Sequence, residues 1–270
     1  MKMNASVNSS FDGRLLDDRL LSAGCLVRKE SRAADIGCDH AYLSIWLVKN
    51  GICTKVIASD LREGPLSSAR QNVNEAGFSD IVDLRLGAGL DKISGDEVDD
   101  IIICGMGGIT IADIIKAAPW VKDVSKHLVL QPMTHADVLR EYLCKNGFEI
   151  DKETAVVAAK KVYTVISAVY TGEITSPGEL FYKIGKIAPQ KDGADILYIK
   201  KELHKLKKKS QGIARSNHPE DEGAFSAVIG ELEGLIARRE GEKICNSNQA
   251  ALKSNRLKRK GCALRSRPYN

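Results

Sequence analysis

The chain has no CxxC pair, no run of about 18 apolar residues, and no trio of spaced glycines in the turn where a dinucleotide-binding protein would need them. Each absence removes a class. The seven cysteines (Cys25, Cys38, Cys53, Cys104, Cys144, Cys245 and Cys262) are odd in number and scattered, so neither a disulfide framework nor a metal site is expected. The opening residues MKMNASVNSSFDG contain no apolar h-region, which argues against secretion as the missing apolar run argues against membrane spanning. The expectation is a soluble, cytoplasmic protein.

Acidic residues are missing from positions 251–270, where Lys253, Arg256, Lys258, Arg259, Lys260, Arg265 and Arg267 stand. These seven cations exceed the net charge of +5 for the whole chain, so the rest is slightly acidic and the basicity is local. A second basic cluster, YIKKELHKLKKK from Tyr198 to Lys209, holds six lysines and one glutamate on one expected helix. Such clusters attract phosphate backbones, although charge runs are often only solvated helix faces.

Through the first 170 residues, apolar runs alternate with helical patterns: RAADI, KVIAS, IVDLRL, DDIIIC and HLVLQ. This alternation predicts an α/β fold with a mostly parallel, doubly wound sheet, its strands covered on both faces. FEIDKETAVVAA and VYTVISAVY flank Lys160 and Lys161 with no room for a helix, so the sheet should end in an antiparallel hairpin. The turn-rich TGEITSPGE then opens a small helical, coiled-coil-like domain. The expected divisions are a catalytic domain over 1–171, a helical domain over 172–250, and a basic, disordered tail over 251–270.

In an open parallel sheet, ligands bind beyond the carboxyl ends of the strands. There stand Asp35, Gly37, Asp39 and His40 after the first run, Asp60 after the second, GAGL (Gly87–Leu90) after the third, GMGG (Gly105–Gly108) after the fourth, and Gln131, Pro132 and Met133 after the fifth. An acid ending the second strand suits the two hydroxyls of a ribose, so a nucleoside-containing cofactor is expected. Asp35 and Asp39 would repel a pyrophosphate but accept a sulfonium and an ammonium, which favours S-adenosylmethionine over a dinucleotide. Asp35 as a helix-capping acid and His40 as a packed helix-start residue are the competing structural readings. The fourth run lacks the [DNS]PP[YFW] turn of exocyclic-amine methyltransferases, and Cys104 follows isoleucine rather than the proline expected before a cysteine nucleophile.

ADIGCDHAYL, ASDLREGPLSSA, RLGAGL, ICGMGG and LVLQP, in this order and spacing, resemble the bacterial tRNA adenine-22 N1-methyltransferases. The resemblance runs from about Arg19 to Tyr170. It implies a Rossmann-like class I methyltransferase domain, a C-terminal helical domain that binds tRNA, S-adenosylmethionine as donor, and N1 of adenine 22 in tRNA as acceptor. Carried onto this chain, it gives Asp35, Gly37, Asp39, Asp60, Leu61, Gly87, Ala88, Gly105 and Met106 as cofactor-binding residues. Asp39, His40, Gly105 and Gln131 are the candidates nearest the chemistry. Two positions depart from the family pattern: Ala88 replaces an aspartate in the GDGL stretch, and Met133 replaces the asparagine of QPN. The expected oligomeric state is a monomer. A small-molecule methyltransferase, and an RNA-binding module weakened by Ala88 and Met133, are the alternative functions.

Overall fold

The computed structural model of the protein describes residues 16–189, 193–214 and 225–240; the basic segment 251–270 and the end of the expected helical domain lie outside them. The chain forms two compact units, Met1–Tyr198 and Ile199–Asn270. Residues 172–189 and 193–198, which the change in composition groups with the helical domain, cluster with the first.

The first unit opens with α1 (Asp18–Gly24), β1 (Ser31–Ile36), α2 (Tyr42–Lys49), β2 (Cys53–Asp60), α3 (Glu63–Ala76) and β3 (Val82–Leu86). It continues with β4 (Asp100–Gly107), α4 (Gly108–Ala117), β5 (His127–Thr134), α5 (Ala136–Lys145) and the hairpin of β6 (Phe148–Ala158) and β7 (Lys161–Tyr170). Helix α6 (Glu179–Ile184) follows, and α7 (Ala194–Ala214) carries the chain into the second unit. The seven strands lie in the order β3-β2-β1-β4-β5-β7-β6. β1 to β5 are parallel, and β7 runs antiparallel to both β5 and β6.

The apolar runs are continuous because consecutive strand residues enter different cores. Ile101, Ile103, Leu128 and Leu130 face one core, with Ile111 and Ile115 of α4 and Leu139 and Leu143 of α5. Ile102 and Val129 face the other, with Leu43, Ile45 and Leu47 of α2 and Leu66, Ala69 and Val73 of α3. Burying apolar area on both faces stabilises the sheet by about 25 cal/mol per Å². Helix α3 keeps Leu66, Ala69, Val73 and Ala76 on one stripe and stops at Gly77, whose φ of 77° suits a residue without a Cβ.

A polar chain, buried at Asp100, His127 and Ser167, closes the amino end of the sheet. Asp100 accepts from the Arg28 Nε at 2.6 Å and lies 2.8 Å from His127 Nδ1; His127 Nε2 meets the Ser167 hydroxyl at 2.8 Å, and that hydroxyl donates to Asp151 at 2.6 Å. This Asp-His-Ser sequence sits at the end opposite the strands' carboxyl ends, and the serine proton is already committed to Asp151. It is a structural chain.

In the second unit, α7 and a helix over 225–240 bury Leu206, Val228 and Leu232. Lys200 pairs with Glu240 at 2.8 Å and Lys207 with Glu233 at 2.5 Å, so the two helices run antiparallel. Lys201 and Lys205 pair with Glu202, and Lys209 lies 4.8 Å from the Phe225 ring centroid. Much of the lysine charge expected to face a phosphate backbone is thus engaged within the unit.

Tyr182, Lys183 and Tyr198 are held to the sheet by Arg140. Its guanidinium donates to Glu153 at 2.7 Å, to the Tyr182 carbonyl at 2.8 Å and to the Tyr198 hydroxyl at 2.8 Å, and both charged side chains are wholly buried. Because removing one partner leaves a buried charge uncompensated, Arg140→Leu is expected to cost about 3–5 kcal/mol. Urea unfolding of Arg140→Leu and of the double variant Arg140→Leu/Glu153→Leu checks this, with the double variant regaining much of the loss.

Candidate active site

Beyond the carboxyl ends of β1, β2, β3 and β4 lies a cavity of about 630 Å³. It forms where the strand order reverses, between β1 and β4, so the loops that follow these strands turn to opposite faces of the sheet. Asp35, Gly37, Asp39, His40, Asp60, Leu61, Gly87, Ala88, Gly105 and Met106 all line it. Of the other residues singled out from the sequence, Leu90, Gly107, Gly108, Pro132 and Met133 do not line it, and Gln131 is fully buried behind the wall. There its Oε1 accepts from the Gly105 N–H at 3.1 Å and from Arg19 Nη1 at 2.5 Å. It positions the wall of the cavity.

The turn after β1 is shaped by backbone conformations that side chains disfavour. Gly37 has a φ of 72°, and a Cβ there would lie 2.3 Å from the Met106 Cε. Asp39 and Ala41 also have positive φ, 50° and 57°, at a cost on the order of 1 kcal/mol each. This turn projects Asp39 outward, its side chain 64% exposed, with His40 Nε2 3.8 Å from its carboxylate. The His40 ring stacks on Tyr42, and its carbonyl accepts from Asn72, so His40 is both packed and at the cavity wall.

Asp35 and Asp60 form the charged floor. Asp60 Oδ2 accepts from the Asp39 N–H at 3.3 Å and Oδ1 from the Arg62 N–H at 2.9 Å. A carboxylate offers about four lone-pair sites, so one on each oxygen remains for a ligand. Asp35 accepts from the Ser44 hydroxyl at 2.6 Å and from the Ser44 N–H in the first turn of α2. It therefore caps that helix, whose N-cap residue Ala41 supplies no side-chain bond, while also lining the cavity. Burial pushes its carboxyl up to about 6 against those hydrogen bonds, with Asp60 adding to the rise. Burial likewise pushes the Cys38 and Cys104 thiols well above the usual thiol range, which leaves neither suited to be a nucleophile.

GMGG is a bulged strand end rather than a simple glycine turn. The β4–β5 register shifts on both sides of Met106, and of these glycines only Gly105 has positive φ, 79°. Gly108 is needed for another reason: a Cβ there would stand 2.1 Å from the His135 carbonyl oxygen. Thus the first turns of α4 and α5 can approach closely.

Arg19, Ser59, Arg62, Thr110 and Ile114 also line the cavity, and strand-end reasoning missed them. Arg19 precedes the first strand, on a helix capped by Asp17, so no rule about residues after strands reaches it. Thr110 and Ile114 are four apart on α4, a spacing after GMGG that could have flagged them. Among the described residues, no cluster of His, Cys, Asp and Glu is arranged to hold a metal.

The family model described as a methyltransferase domain matches residues 16–166. The chain belongs to that family. It is 35% identical over 153 residues to the tRNA (adenine(22)-N(1))-methyltransferase of Bacillus subtilis, a match covering 57% of this chain and 64% of that relative's length. The crystal structure of the B. subtilis M1A22 tRNA methyltransferase TrmK is 28% identical, with a TM-score of 0.67 over 84% of this chain and 97% of that one. The Streptococcus pneumoniae protein Sp1610, solved in complex with S-adenosyl-L-methionine, is 27% identical with a TM-score of 0.65, over 81% of this chain and 98% of that one.

Gly108→Ala should force the His135 carbonyl and α4 apart and destabilise the fold by about 1–3 kcal/mol. Comparison of the urea midpoints of the two proteins measures it.

Proposed function

We propose that the protein transfers a methyl group from S-adenosylmethionine to N1 of adenine 22 in tRNA. The observation that carries this reading is the cavity itself, where Asp35, Asp39 and Asp60 meet Gly37, Gly87 and Gly105 at the switch between β1 and β4. Its support from relatives is the likeness to proteins described as tRNA adenine-22 N1-methyltransferases.

The residues fit the cofactor. Asp60 has spare acceptor sites for two ribose hydroxyls, Asp35 presents a buried carboxyl to cationic groups, and Gly37, Gly87 and Gly105 leave backbone accessible where side chains would intrude. When bound, S-adenosylmethionine supplies a methyl group activated by its sulfonium. Adenine N1 carries an in-plane lone pair and no proton, so this chain has to provide no general base. The demands on it are positioning and electrostatics. Asp39, exposed beside the cavity, accepts a hydrogen bond from the adenine amino group and makes N1 more electron-rich. Gln131 holds Gly105 and Arg19 in place from behind. Ala88, exposed in the GAGL loop, gives the adenine amino group of the cofactor no acceptor, at a cost of about 0.5–1.5 kcal/mol in binding.

Incubation of the full chain with unmodified tRNA and labelled S-adenosylmethionine should yield N1-methyladenosine at position 22 on nucleoside analysis and mapping. Label in another nucleoside, or none, would overturn the reading.

Cofactor binding should also depend on pH. With its carboxyl near 6, Asp35 is mostly protonated at pH 5 and ionised at pH 7, and only the ionised form favours a cation. Calorimetry should therefore find affinity about tenfold weaker at pH 5 than at pH 7, with the dependence much reduced in Asp35→Asn. The linkage to folding has the opposite sign. A raised carboxyl contributes stability below about pH 4, and this is lost as pH rises towards 6.

A further inference from the structure

We propose that the tip of the β6–β7 hairpin, Lys160 and Lys161, is a phosphate-binding contact for the RNA backbone on either side of the nucleotide in the cavity. This rests on the methyltransferase reading above and adds a contact surface to it.

The ladder places the tip at the correct end of the sheet. Ile36, Ile103, Leu130 and Ile166 stand in one row across β1, β4, β5 and β7. β1 ends in that row, at the base of the cavity, whereas the β6–β7 ladder continues to Ala158 and Lys161. Five more residues of strand carry the tip about 17 Å past the row, and β7 lies about 10 Å, two strand spacings, to the side of β4. The hairpin is thus a wall beside the cavity mouth with its tip on the solvent side.

The charge on this wall is concentrated at one point. Between Thr154 and Tyr170 the only charged residues are Lys160 and Lys161. Both are exposed, and no ion pair forms at either among the described residues. The lysines of α7 differ, since most are held by Glu202, Glu233 and Glu240. The backbone adds a second observation. Ladder pair Ala158–Lys161 closes a two-residue turn in which Ala159 and Lys160 both have positive φ, 46° and 62°. Such turns favour asparagine and glycine, so turn geometry does not account for a lysine here, and an outlier of this kind points to a use for the side chain.

The chemistry of the cavity explains why phosphate contacts should stand off at this distance. Its floor carries Asp35 and Asp60 and its rim Asp39, which repel a phosphodiester. Exposing a base from folded RNA costs a few kcal/mol, and attraction to the flanking phosphates must come from cations outside that acidic zone. A pair of free lysines on a rigid ribbon beside the mouth meets this need.

The test uses the full chain and unmodified tRNA, titrated over a series of potassium chloride concentrations, with Lys160→Gln/Lys161→Gln beside the parent. Two lost phosphate contacts should reduce the log–log salt slope by about 1.4–1.8, weaken tRNA binding, and leave S-adenosylmethionine affinity by calorimetry unchanged; Lys160→Arg/Lys161→Arg should keep the parental slope. An unchanged slope in the glutamine variant, with parent and variant both methylating tRNA, overturns the hairpin contact while the enzymatic reading stands. Loss of polyglutamate binding in that variant would then assign the tip to an acidic protein surface. If the parent neither binds nor methylates tRNA, both readings fall.

Discussion

Strands β1 and β4 lie side by side although α2, β2, α3 and β3 separate them in sequence. That pairing sends the chain to one face of the sheet after β1 and to the other after β4, since α2 packs in one core and α4 in the other. Two neighbouring strands whose continuations diverge cannot fill the space above their ends. The cavity is the result, and each residue proposed for cofactor or base is there because its loop leaves the sheet at this place.

Asp35 and Asp60 then connect the walls. Asp60 receives N–H groups from the turns after β1 and β2, and Asp35 receives Ser44 from α2. Each carboxylate holds a turn in place and still faces the cavity. Asp35 is held in a position that penalises its charge, so the same burial that weakens folding at neutral pH strengthens its attraction for a cation. Fixed acceptors in a partly dry site can then act without reorganising, which is how such sites stabilise developing charge.

The lysines of α7 and those of the hairpin tip differ in their surroundings. Exposed ion pairs of the kind made by α7 are worth little, typically below about 1 kcal/mol, and the glutamates that neutralise them also mute their field. Lys160 and Lys161 have no such partners among the described residues. In the proposed RNA contact, position and freedom from counter-charges, rather than the number of basic residues in a stretch, decide where a phosphate backbone is drawn.

Much of the fold was legible in the sequence. The two-sided burial of parallel strands writes itself as unbroken apolar runs such as DDIIIC, and the missing helix between FEIDKETAVVAA and VYTVISAVY gave the hairpin. Residues immediately after strands were legible for the same reason: the carboxyl-end rule needs only the order of elements. What the sequence could not supply was anything fixed by contact across elements. Gln131 ends an apolar run like the others, yet it lies within β5 and its side chain turns behind the wall to Gly105 and Arg19. Arg19 itself precedes every strand and reaches the cavity only because α1 packs against the sheet. Gly108 reads as one of four turn residues, and only the approach of the His135 carbonyl makes a Cβ impossible there. The sequence by itself determined the periodicities, and with them the elements and their order. Tertiary structure decided which side chains face the cavity, which charges are already paired, and how far the hairpin extends beyond it, because these depend on register and packing between segments distant in the chain.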